Sequence, residues 1–100
     1  MANINKIAFF LNKELRIKLI PDASKNGLQV KTKTEIKKVG FAVDACLSTF
    51  QKAKKEKIDL LIVHHGLKWI PQKYKSITKT RTDFLKKNNI SLYACHLPLD

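Results

Sequence analysis

The sequence predicts an α/β domain in three layers around a mainly parallel sheet, and three observations carry that prediction. Asp59-Leu-Leu-Ile-Val-His64-His65-Gly66 is an unalternated apolar run that ends abruptly in two imidazoles and a glycine. Strands covered on both faces of a parallel sheet read this way, whereas half-exposed strands alternate. Ile90 to Cys95 is a second run of the same kind, followed by His96-Leu-Pro-Leu-Asp100. Before and between these runs, apolar residues recur at helical spacing, so strands alternate with helices, the arrangement that gives a parallel sheet covered by helices. The chain of 100 residues, 44% of them apolar, suffices for one such core and not for two, so residues 1–100 are expected to form a single domain.

Taken in order, Ile4, Ile7, Ala8, Leu11 and Leu15 mark one stripe of a first helix, with Asn3 or Asn5 available as its N-cap. Pro21 ends any continuation. From Ile17 to Thr34 the chain is polar and irregular; its one clear signal is Asn26-Gly27, a turn dipeptide that opens a short strand at Leu28 to Val30. Ile36 to Val43 reads as a strand, with Gly40 where another element approaches closely. Asp44 is placed to cap the next helix, whose buried side carries Leu47, Phe50, Ala53 or Lys54, and Ile58; Asp59 closes it. Strand, helix and strand with short connections make a parallel unit. After Gly66 comes a loop whose Trp69 reads by default as a plug on the sheet end, the alternative being a pocket wall. Ile77, Arg81, Phe84, Leu85 and Asn88 then recur at helical spacing, Lys86 and Lys87 fall where cations favour a helix end, and Asn88-Asn89 supplies the exit.

A formal net charge of +12 is the electrostatic footprint of nucleic-acid binding only when it is organised. Here all but two of the basic residues are lysines, spread from Lys6 to Lys87, and arginine, the better reader of phosphates and base edges, occurs only as Arg16 and Arg81. No helix-turn-helix, stacking-aromatic or GxxG motif accompanies them. The charge therefore reads as a solvated surface, and a nucleic-acid partner ranks last. The apolar patch Ile7 to Leu11 is too short for a signal-peptide core or a membrane span, so a cytoplasmic protein with no membrane partner is expected. Cys46 and Cys95 stand in no Cys-x-x-Cys spacing and are expected to be buried reduced thiols.

The chemistry gathers at the ends of the two apolar runs. The crevice beyond the carboxyl ends of strands is where open α/β sheets bind ligands. Adjacent side chains on a regular strand point to opposite faces, so His64 and His65 make a poor chelate for one ion, but at a strand end they can address two ions side by side. For a lone His-His pair, one packed ring and one solvated ring would be the default. The second strand changes that weighting, because His96 and Asp100 end it on the same edge. Pro98 keeps that segment out of an ordinary helix, and histidine nitrogen with a carboxylate suits zinc, iron, manganese, cobalt or nickel.

Asn26-Gly-Leu-Gln-Val30, Val39-Gly-Phe-Ala-Val-Asp44, the histidine strand and Ser91-Leu-Tyr-Ala-Cys-His96-Leu-Pro-Leu-Asp100 occur in one order along essentially the whole chain. In that order they resemble the Nif-three-like dinuclear-metal family, also called GTP cyclohydrolase 1 type 2 homologues. The resemblance implies the family's α/β fold and a centre of two divalent metal ions. His64, His65 and Asp100 would be its metal ligands, and His96 would lie beside them to ligate, orient or shuttle a proton. It assigns no catalytic residue. It also implies a hydrolase acting on a nucleotide or other small phosphorylated substrate, and a homo-oligomer. In the family a second half of the chain adds a further His and Glu, so these residues are expected to be the N-terminal portion of a longer protein, binding metal poorly and not turning over GTP alone. The competing readings are a non-enzymatic regulatory or interaction module with a structural metal, and a weak lysine-mediated nucleic-acid binder.

Overall fold

The computed structural model describes residues 2–69, 72 and 75–96. Ala2–Asn3 form a short strand β1, which leads directly into helix α1, Ile4–Glu14. The Asn3 side chain accepts hydrogen bonds from the amides of Asn5 and Lys6 and so caps the helix. Strand β2 is Gly27–Val30, β3 is Glu35–Ile36 and β4 is Val39–Asp44; helix α2, Leu47–Lys55, then leads to β5, Leu60–His65. Helix α3, Lys75–Lys87, and strand β6, Ser91–Ala94, complete the described elements.

The main sheet has the order β2-β6-β5-β4. β4, β5 and β6 run parallel, as the apolar runs predict, while β2 joins the edge antiparallel to β6. β1 and β3 form a separate antiparallel pair. Alternation along the central strands sorts the core into two layers. Leu61, Val63, Leu92 and Ala94 pack with Phe50 and Ala53 of α2 and Leu85 of α3. Leu60, Tyr93 and Cys95 pack with Ile4 and Ala8 of α1 on the other side. Tyr93 is fully buried, and its hydroxyl donates to Asn12 Oδ1 at 2.8 Å; burial pushes its phenol pKa up. The result is the three-layer α/β arrangement. Cover is incomplete at the β4 edge, where Phe41 and Val43 are exposed, as are Phe9 and Phe10 of α1. Among the described residues no helix is long and apolar enough to cross a membrane.

Several local expectations are corrected. The segment expected as one strand from Ile36 is split, because the amides of Lys37 and Lys38 turn away to donate to Asp59 Oδ2. Asp59 does not close α2. The helix ends at Lys55, Lys57 takes a left-handed conformation (φ 58°), and Asp59 sits at the start of β5. Burial alone would raise the Asp59 carboxyl, but hydrogen bonds from the Lys33 ammonium and those two amides outweigh it and hold it below the usual carboxylate range. Asp44 does not cap α2 either: Cys46 is the N-cap, with no side-chain capping bond, and Asp44 ends β4 with its carboxylate turned to His65. Leu47, expected on the buried side of α2, is exposed, and Cys46 is only half-buried.

Candidate metal centre

Four strand ends meet on one edge of the sheet. β5 delivers His64 and His65, and β6 is followed after one residue by His96. β4 ends in Asp44, which lies in register with His65. β2 runs the other way, so its leading segment, Asp22 to Asn26, arrives at the same edge; Gly27 pairs with Ala94. The three imidazoles converge there, with ring centroids 4.6 Å apart for His64 and His65, 4.9 Å for His64 and His96, and 5.3 Å for His65 and His96. One ligand nitrogen from each ring lies within 4.8 Å of the others.

Adjacent residues of one strand meet in this way because the strand stops there and a tight turn follows. A Cβ on Gly66 would fall 2.5 Å from the Ala94 Cβ and 2.5 Å from Gln29 Oε1, so only glycine permits the turn. Gln29 sets its course. It occupies the register irregularity between Leu28 and Val30 of β2 and is buried. Its Oε1 accepts from the amides of Leu67 and Lys68 at 2.7 and 3.2 Å, while its Nε2 donates to the carbonyls of Lys25 and Lys68. A strand irregularity here re-aims a side chain beside a candidate site. Trp69 then folds back, its indole N–H donating to the Gly66 carbonyl at 2.9 Å. The indole stands edge-on to His96, centroids 5.1 Å apart, and 6.5 Å from His65. Trp69 walls the site rather than plugging the sheet.

Each ring is held through its Nδ1. His64 Nδ1 lies 3.0 Å from the Cys95 carbonyl oxygen, His65 Nδ1 2.8 Å from Asp44 Oδ1, and His96 Nδ1 3.1 Å from Asp22 Oδ1. A carbonyl or carboxylate oxygen accepts, so each Nδ1 is the donor, and in the neutral form of each ring Nε2 is the nitrogen left for a ligand. That second-sphere pattern orients metal-binding histidines and makes them more basic. Three imidazole donors suit zinc, iron, cobalt or nickel. A tetrahedral site would draw such nitrogens to roughly 3.3 Å of one another, from metal–nitrogen distances of about 2.0–2.1 Å. The spread of up to 4.8 Å is wider than that, so the rings would close in to hold one ion. The chemistry of the residues fits a divalent transition metal.

His64, His65 and His96 come together, with His96, expected beside the other two, contributing a ring nitrogen to the same cluster. Asp100 lies outside the described residues, so its place as a ligand is neither supported nor opposed. Sequence reasoning missed Asp22, Asn26, Gln29 and the true partner of Asp44. Asn26 and Gln29 stand in the Asn26-Gly-Leu-Gln-Val30 stretch but read there only as a turn and a short strand, and for Asp22 the available signal is the Asp22-x-x-x-Asn26 spacing of two side chains able to bond their own loop. Near Asp44, hydrogen bonds from Ser48 and Thr49 hold the Cys46 thiol down at about 7.

Comparison with known proteins places this arrangement. A family model described as Duf34/NIF3 (NGG1p interacting factor 3) matches residues 2–100. Proteins named GTP cyclohydrolase 1 type 2 homolog are 48% identical over 99 residues in Archaeoglobus fulgidus and 40% identical over 92 residues in Vibrio cholerae, covering 98% and 90% of this chain. The chain spans only 40% and 36% of those two relatives. Among solved structures, TTHA1606 from Thermus thermophilus superposes with a TM-score of 0.89 at 45% identity, over 97% of this chain and 41% of that one. Reduced HcgD from Methanocaldococcus jannaschii gives 0.82 at 34%, over 98% and 41%. With the family's sequence pattern matched from residue 2 to residue 100 and its fold reproduced, the chain belongs to the Duf34/NIF3 family.

Proposed function

We propose that this chain is the part of a divalent-metal hydrolase that supplies one wall of its metal centre, with His64, His65 and His96 as donors and Asp100 completing the set. The observation that carries the reading is the convergence of three imidazoles, each with Nδ1 engaged by an acceptor. A divalent ion held there supplies Lewis acidity toward a carbonyl or phosphoryl oxygen. The residues themselves do the remaining work. The Cys95 carbonyl, Asp44 and Asp22 keep the rings in one tautomer, and Trp69 packs against the His96 ring.

The names of the relatives point to a nucleotide substrate such as GTP, and the donor span of up to 4.8 Å is compatible with two ions. Both belong to the full-length form of the relatives, of which this chain spans about two fifths. A cytoplasmic setting agrees with the reduced thiols of Cys46 and Cys95. The test is titration of the metal-free protein with cobalt(II), followed by absorption and calorimetry, and then a GTP hydrolysis assay. Imidazole-ligated cobalt that is lost in His64→Ala and weakened in His96→Ala is the expected result, with GTP turnover absent from these 100 residues alone. Cobalt binding equally well to a variant lacking all three histidines would overturn the reading.

A further inference from the structure

We propose that Asp22, aimed by Asn26, is a positioning residue that fixes the His96 imidazole for the centre, making the loop before β2 a working part of the site. The inference rests on the reading of the histidine cluster as a metal centre and goes beyond it by assigning residues to neither ligation nor catalysis.

The geometry is that of a clamp. The Asp22 side chain is 4% exposed, and a carboxylate so enclosed is unfavourable unless its oxygens are satisfied. Asp22 Oδ1 faces both His96 Nδ1 and the Ser24 amide, each at 3.1 Å. Oδ2 accepts from Asn26 Nδ2, also at 3.1 Å. The Asn26 amide group is used at both ends, because its Oδ1 accepts from the His96 backbone amide at 3.0 Å. The loop therefore grips His96 twice, at the ring through Asp22 and at the backbone through Asn26. Ser24 pairs with Trp69, so the same loop also fixes the aromatic wall.

A loop that only needed to be held down would not require a buried carboxylate on an imidazole. Neutral imidazole in water favours the proton on Nε2, the wrong nitrogen to leave a lone pair facing the other two rings. The Asp22 carboxylate reverses that preference by accepting from Nδ1. Asp44 does the same for His65 but is 66% exposed at its side chain, where water competes for both partners.

The experiment has two independent readouts. Long-range proton–nitrogen correlation spectra of the metal-free protein at about pH 8.5, where an ordinary imidazole is neutral, report each ring's tautomer without any metal. Cobalt(II) titration reports the centre. In Asp22→Ser, whose hydroxyl is too short to reach the ring, His96 is expected to move toward the Nε2–H tautomer and cobalt affinity to fall roughly 10- to 100-fold. Asp22→Asn, whose carbonyl still accepts from Nδ1 but whose amide group meets the Asn26 donor, is expected to keep the tautomer and to lose affinity only as Asn26→Ala does, roughly three- to tenfold. Asp44→Ser is expected to cost less than about threefold, in line with its exposure. If Asp22→Ser does not fold, Asn26→Ala serves in its place, with a loss of roughly three- to tenfold expected from removing one of the two grips. An unchanged His96 tautomer in Asp22→Ser, an equal loss from Asp44→Ser, or no loss in Asn26→Ala would overturn the proposal. A tautomer that responds as expected in a protein whose cobalt binding is unchanged by loss of all three histidines would leave the clamp standing and sink the metal reading.

Discussion

His96 and His65 are oriented by the same chemistry in opposite surroundings. Both donate from Nδ1 to an aspartate, at 3.1 and 2.8 Å. The longer bond is the enclosed one: the side chains of His96 and Asp22 are 24% and 4% exposed, against 44% and 66% for His65 and Asp44. Length is a poor guide to which bond matters more. A hydrogen bond in water exchanges for bonds to solvent at little net gain, whereas a buried acceptor that loses its partner suffers its full desolvation. The centre thus has one fixed arm, clamped from β2, and one adjustable arm at the exposed end of β4.

Each arm happens to carry a cysteine, which allows a direct test of largest expected effect. Cys46 lies two residues beyond Asp44, half-buried, with its thiol near 7; Cys95 precedes His96 and is 1% exposed. At pH 7.5 Cys46 should be mostly thiolate and react with iodoacetamide, while Cys95 must wait for the fold to open. A difference in rate of about a hundredfold or more is expected by mass spectrometry of the timed products. Similar rates would show that the two arms are equally open.

The next effect concerns the turn that joins the arms. Gly66→Ala places a methyl 2.5 Å from Ala94 and from Gln29, and neither strand can give way without disturbing the sheet or the Gln29 bonds. Overpacking of this kind typically costs about 1–3 kcal/mol. Thermal unfolding should drop by on the order of 10 °C. A variant as stable as the parent would mean that the turn, and with it the spacing of His65 and His96, is softer than the geometry shows.

The smallest effect is a control at the opposite end of β5. Asp59 is held ionised by Lys33 and the amides of Lys37 and Lys38. Its folded pKa is depressed, so the stability it contributes is present above its unfolded value of about 3.9 and is lost as pH falls through the lower folded value. Asp59→Asn should therefore lower the melting temperature at pH 7, and the gap to the parent should shrink as pH is taken below about 4. A gap that is constant with pH would assign the loss to packing. Neither outcome touches the imidazole arms, which separates global stability from the geometry of the centre.

How much of this was legible in the sequence follows from how local each cause is. The apolar runs at Leu60 to Val63 and Leu92 to Cys95 announce buried parallel strands because burial on both faces is written into consecutive residues. His64, His65 and His96 were legible for the same reason: each follows such a run. The segment from Asp22 to Asn26 was not, since its bonds reach His96 across 70 and 74 positions and leave no periodicity behind. Asp44 misled because an aspartate before a helix is an ordinary cap, and only the register of β4 against β5, with Asp44 opposite His65, reveals the stronger claim on its carboxylate. The antiparallel direction of β2 was equally hidden, as Leu28 to Val30 carries the same apolar character either way.

That direction has a kinetic consequence. The clamp on His96 can close only after β2 has docked on β6, and with Asn12 bonded to Tyr93 across 81 positions, it joins the first third of the chain to its last strand. Contacts that span so much of a chain slow the search for the native state. With the clamp formed after the barrier, an ion bound by the finished site would add little to the rate of folding, and nearly all its stabilisation would appear as slower unfolding; an ion that speeds refolding would place the clamp before the barrier. In stopped-flow measurements, metal should leave the refolding arm where it was and lower the unfolding arm, so that the cluster of histidines acts as a latch on a closed loop.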